Sequence, residues 1–84
     1  MPYIKEKQRE KFEPEIDYLH IPDNCGELNY LISEICLQYL EKFGEKYQTY
    51  NDIIGALECC KQEFYRKKIA KYEDQKEEEN GTIW

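Results

Sequence analysis

Three features of the sequence predict an all-α fold: two apolar stripes at helical spacing, a capping signal ahead of each, and a glycine that closes each helix. The implied architecture is an antiparallel helical hairpin over residues 26–43 and 50–78, with a short N-terminal helix packed across it. The C-terminal helix is the long one and outruns its hairpin partner by about ten residues. In domain terms, residues 1–12 read as an arm, 13–81 as the helical domain and 82–84 as a tail.

The arm, MPYIKEKQREKF, sets Lys5, Lys7, Arg9 and Lys11 against Glu6 and Glu10, so it is net positive. It reads as a short or fraying helix, because isolated short helices are marginal in water. Its charge suits docking on the acidic remainder of the chain or on a neighbour. Glu13-Pro14 starts a second short helix, with Ile16 and Leu19 as its apolar face, and Ile21-Pro22-Asp23-Asn24 must end it. The first strong helix begins with the capping-box form Asn24-Cys25-Gly26-Glu27. Leu28, Leu31, Ile32, Ile35, Cys36, Tyr39, Leu40 and Phe43 then form a stripe across four turns, and Gly44 closes it.

The second strong helix is the stretch the rest is built around, Thr49 to Gly81. Thr49-Tyr50-Asn51-Asp52 has the form of a second capping box, with Thr49 as cap and Asn51 in competition. Ile53, Ile54, Leu57, Cys60, Phe64, Ile69 and Tyr72 give its inward stripe. Gly55 costs roughly 1 kcal/mol against alanine inside a helix. With Cys59 four residues on, it predicts a close helix contact, within the chain or between subunits. Acids near a helix C-terminus oppose the helix dipole, so this helix is expected to fray or bend before Gly81 unless its tail is held elsewhere.

Composition narrows the chemistry. A chain this short buries about 60–65% of its unfolded surface, and small cores are often supplemented by oligomerisation. The formal net charge of −6 disfavours nucleic-acid binding. No stretch is apolar enough for a membrane span and the polar start is unlike a secretory signal, which makes a cytoplasmic protein the expectation. Cys25, Cys36, Cys59 and Cys60 lack zinc-site spacing, and the lone His20 cannot complete one, so they read as free thiols serving as small core residues. No metal or other cofactor is expected. Ser33 is the sole serine and lies mid-helix, while Glu58 and Glu63, five apart, do not share a face. No glycine-rich phosphate loop is present, so an enzyme is not expected.

Binding has better candidates. Arg66, Lys67 and Lys71, with Lys68, form a basic cluster suited to a phosphate or an acidic partner, although such a cluster is commonly just a solvated face. Tyr65 and Tyr72 flank it, with apolar bodies and polar tips. The chain ends on Ile83-Trp84, and Trp84 is a candidate anchor in cis or across a dimer. Gly55, Cys59, Ile69 and Tyr72 are the candidate interface residues of a homo-oligomer, a dimer or higher, that would cover the overhanging helix.

The order of motifs Met1-Pro2-Tyr3-Ile4, Gly26-Glu27-Leu28-Asn29-Tyr30, Ile54-Gly55-Ala56-Leu57-Glu58-Cys59, Glu63-Phe64-Tyr65-Arg66, Tyr72-Glu73-Asp74-Gln75-Lys76 and Glu79-Asn80-Gly81 resembles a family of small uncharacterised proteins of tailed bacteriophages and prophages. The resemblance spans nearly the whole chain. Ala70-Lys71 stands where relatives tend to carry proline before the tyrosine, which puts a kink there in doubt, and Thr82 and Trp84 replace an acid and a tyrosine or phenylalanine. The resemblance implies a viral or prophage origin and a location in the host cytoplasm, and no mechanism. The functional expectation is a non-enzymatic accessory protein that binds a host or phage protein. The alternative is a small oligomeric sponge that sequesters a nucleotide signal of host defence.

Overall fold

Asn24 opens the first long helix as its sequence requires. Its Oδ1 accepts the Glu27 N–H at 2.8 Å, and the Glu27 carboxylate reaches back to accept the Asp23 N–H at 3.0 Å. In this computed structural model, which describes residues 2–84, helix α3 then runs Cys25–Phe43. Gly44 ends it at φ 88°, in the left-handed region that glycine enters without strain, and its N–H bonds the Leu40 carbonyl at 2.7 Å.

The chain re-enters helix almost at once. Helix α4 spans Tyr47–Phe64 with Lys46 as its cap residue, so it starts ahead of the expected Thr49. The capping box of the sequence does not form. The Asp52 carboxylate accepts from Gln48 Nε2 at 2.6 Å instead, and Thr49, inside the first turn, is enclosed at 2% exposure. From Phe64 the helix passes through a π-helical turn, Tyr65–Ile69, where the Ala70 N–H reaches back five residues to the Tyr65 carbonyl. Helix α5, Ala70–Asn80, completes the rod, and Gly81 stops it at φ 85°. With 18, 5 and 11 residues, the three segments make a continuous helix of about 50 Å, which fills the longest dimension of the molecule, 49 Å. The fraying expected before Gly81 does not occur. Extending an established helix is easy where Ala, Lys, Glu and Gln predominate, and Lys76 pairs with Glu79 at 3.2 Å in the last turns.

The N-terminal region departs from the sequence reading. It forms two five-residue helices, α1 (Glu6–Glu10) and α2 (Glu13–Asp17), which contact each other but do not pack across the α3–α4 hairpin. Ile16 is 63% exposed, so the apolar face of α2 has nothing to rest on within one chain. Met1, the first residue of the arm, lies outside the described residues. Among those residues there is no strand, and no helix is long and apolar enough to cross a membrane.

One chain encloses no apolar core among the described residues. Among the described residues Thr49 alone is buried. The accessible surface is 8113 Å², against about 5,300 Å² for a compact monomer of this mass. The radius of gyration is 16.6 Å, against about 12 Å for a globular chain of this length. The stripes that the sequence marks as core are therefore present as helix faces and left uncovered. The cysteines follow suit: Cys25, Cys59 and Cys60 are exposed and Cys36 is half-buried, so they are not the core residues expected of them.

Candidate functional site

The main feature is an apolar groove between α3 and α4 that runs from the hairpin loop to the π turn. Leu28, Ile32, Ile35 and Tyr39 line it from α3, and Ile53, Leu57, Cys60 and Phe64 from α4. Both sets step 4, 3 and 4 residues along their helix, which is the seam spacing of helices packed side by side at a shallow angle. Near the loop the groove opens to about 290 Å³, and toward the π turn to about 560 Å³. Its walls are half-exposed: Ile35 is 58% and Phe64 60% accessible.

The π turn sets what lies at the open end. Four residues beyond Phe64 an α-helix would place Lys68. The extra residue gives that position to Ile69, which lines the groove together with Phe64 and Tyr65. The insertion thus extends the apolar seam and keeps a charged ammonium out of it. Nothing in the local sequence announces an i→i+5 turn. The signal is the gap itself: Phe64 and Ile69 are five apart where every earlier step in the seam is three or four.

The N-terminal arm joins the long helix just before this turn. Tyr3 Oη donates to Glu63 Oε1 at 2.7 Å, and Arg66 Nη2 donates to the same oxygen at 2.7 Å. The arm holds its own shape through Arg9 Nε, which donates to the Ile4 carbonyl at 2.9 Å. The two hydrogen bonds on Glu63, first from Tyr3 and then from Arg66, pull its carboxyl below the ordinary range. The same bond to Glu63 raises the Tyr3 phenol, and pairing with Glu63 raises Arg66. The arm therefore meets an acid, but through the neutral Tyr3 phenol on Glu63 in α4 and not through its positive charge on the acidic run of α5.

The sequence-derived binding residues do not converge on one pocket. Tyr65 lines the groove with its ring and donates its hydroxyl to Glu73 across the π turn, which raises its phenol. Arg66 is committed to Glu63. Lys67 and Lys71 are exposed and make no ion pair among the described residues. Tyr72 lies under the Lys76 ammonium, 5.6 Å from the ring centroid, on the outer surface of α5. Trp84 is fully exposed at the end of the tail and docks on none of the described residues. Of the interface candidates, Ile69 lines the groove, whereas Gly55 and Cys59 do not. A side chain built at Gly55 would meet no atom within 4 Å, so the close contact expected there is not made inside the chain. The helices approach along the seam through Ala56 and Leu57, one helical step around from Gly55.

Groups with catalytic potential are engaged elsewhere or scattered. Ser33 Oγ donates to the Asn29 carbonyl of its own helix at 2.8 Å. Among the described residues no three His, Cys, Asp or Glu side chains gather in a metal-holding group. What the arrangement offers chemically is a long apolar trough with a charged rim, Glu58 and Lys61 being paired at 3.3 Å beside it. That is a surface for another helix. No curated protein and no solved structure was found to match the chain. A family model matches residues 1–83, and the chain thereby belongs to the family described as a domain of unknown function, DUF6899.

Proposed function

We propose that this protein is a non-enzymatic accessory protein of phage or prophage origin that acts in the host cytoplasm by binding a protein partner. The observation that carries this reading is the exposed apolar groove in a chain whose total accessible surface is about 2,800 Å² beyond that of a compact monomer of equal mass. Contiguous apolar patches of more than a few hundred Å² mark interaction sites. Ser33 Oγ, bonded to its own helix, is not poised as a nucleophile, which supports a binding role over catalysis. The phage origin rests on the resemblance of the MPYI, GELNY, EFYR and YEDQK motifs. The test is capture of partners by the tagged protein from phage-infected host cells, followed by reconstitution with the purified candidate. A stoichiometric complex of the purified pair is expected. Failure to reconstitute any captured protein overturns the reading.

A nucleotide sponge is the second reading. It draws support from the basic side chains of Arg66, Lys67 and Lys71, flanked by Tyr65 and Tyr72. Arg66 and Tyr65 are already bonded to Glu63 and Glu73, which weighs against it. A thermal-shift series with cyclic nucleotides separates the two readings, and absence of any shift removes the sponge. Nucleic-acid binding is disfavoured by the charge of −6. A gel shift at low salt is expected to show none.

A further inference from the structure

We infer that the α3–α4 groove is an interface between two copies of this chain, joined about a two-fold axis that crosses the groove at its middle. The inference deepens the binding reading by naming the occupant of the groove, and it rests on that reading only for the premise that the apolar groove is covered in use. Three observations select a second copy over another partner. The two seams have the same length and the same 4-3-4 step, so the groove is complementary to itself, as an isologous contact requires. Two hairpins facing each other through such seams make a four-helix bundle, whose helices cross at about 20°. The excess surface, about 2,800 Å² per chain, calls for the largest class of contact, that of obligate homodimers, which bury about 1,000–2,500 Å² or more per partner, whereas a standard contact of about 800 Å² per partner would leave most of it wet.

Charge fixes the direction of the axis. The acids of this chain concentrate in α5, where Glu73, Asp74, Glu77, Glu78 and Glu79 outnumber Lys71 and Lys76. An axis parallel to the long helix would lay two such runs side by side. An axis perpendicular to it sends them to opposite ends of the dimer and avoids that repulsion. The perpendicular arrangement also brings the loop end of the second copy over Phe64 and Ile69, at the far end of the groove. In this dimer the π turn is the device that supplies Ile69, in place of Lys68, to the far end of the shared core.

Light scattering on the purified full-length chain tests this directly. At micromolar concentration the expected mass is twice the 10.2 kDa of one chain. Leu57→Glu and Ile32→Glu, in the middle of the seams, are expected to give the mass of one chain. Ile54→Glu, on the exposed face outside the groove, is expected to keep the doubled mass. Should the seam variants fail to fold, alkylation of the native protein gives the same information. Cys59 and Cys60 are both exposed in one chain, but only Cys60 lines the groove. Cys60 is expected to react many-fold more slowly than Cys59. A one-chain mass for the native protein, a mass of three or more chains, a helical Leu57→Glu variant of doubled mass, or equal reaction of the two thiols overturns the inference. A monomer that still reconstitutes with a partner protein would overturn the pairing alone, and a dimer that reconstitutes with none would overturn the binding reading alone.

Discussion

From Tyr47 to Phe64 the long helix carries Ile53, Leu57, Cys60 and Phe64 along one face, opposite a matching face of α3. From Ala70 to Asn80 the same rod carries one large apolar side chain, Tyr72, among five acids, and no helix lies beside it except its own π turn. The halves differ in what holds them. The first is organised by side chains that need a neighbour. The second is organised by backbone hydrogen bonds, a terminal glycine and local pairs such as Lys76–Glu79. Continuity of secondary structure therefore says little about shared stability. The π turn between the halves marks the place where the packing face ends and the solvated face begins.

The largest expected effect separates the halves by mutation. Leu57→Ala should destabilise the assembled protein by about 2–4 kcal/mol, as truncation of a packed leucine does. Tyr72→Ala should cost about 0.5 kcal/mol or less, as an exposed substitution does. Thermal melts of both variants check this, and equal losses would erase the distinction. The two capping glycines give the next contrast. Gly44 and Gly81 have nearly the same φ, 88° and 85°. Gly44→Ala strains the loop that sets the hairpin and should cost roughly 1–2 kcal/mol. Gly81→Ala should only loosen the last turn, with the melting temperature unchanged while circular dichroism loses a little helicity.

Deleting Lys67 is a smaller and more pointed test. It converts the π turn to an α-helical turn while leaving the isoleucine of Ile69 four residues after Phe64. The seam is kept, so stability should change by no more than about 0.5 kcal/mol. A large loss on melting would mean that the turn does more than adjust register.

The smallest effect is the pH response of the N-terminal arm. The folded carboxyl of Glu63 lies below its ordinary value of 4.5, so its contribution is complete above that value and is lost as pH falls through the depressed one. Tyr3 is raised above its ordinary 10.0, so its contribution is present below that value and is lost as pH rises past the raised one. Limited proteolysis of the arm should accelerate at both extremes and be flat between them. Tyr3→Phe should abolish the alkaline limb and weaken the plateau.

Much of this fold is legible in the sequence, and the failures have physical causes. Asn24 with Glu27 reads as a helix start and is one, because both side chains are free to bond the first turn. Thr49 with Asp52 has the same form, yet Gly44 and a two-residue link start the helix earlier, and Gln48 takes the Asp52 carboxylate. A cap motif competes with whatever else its side chains can reach. The stripes along α3 and α4 are also legible, as faces that must be covered. Periodicity is silent on whether the cover comes from the same chain, and α2, expected to supply some of it, is too short to reach. The candidate site was only partly legible for a related reason. Tyr65, Arg66, Lys67, Lys71 and Tyr72 stand out by residue type, but their placement depends on a turn that no residue type encodes.

Hydrogen exchange along Tyr47–Asn80, read at decreasing protein concentration, tests the central claim that one helix comprises a packed half and a free half. Amides of Ile53–Phe64 should exchange far more slowly than those of Tyr72–Glu79, and their protection should fall on dilution while that of α5 stays constant. Uniform protection along the rod, indifferent to concentration, would contradict it.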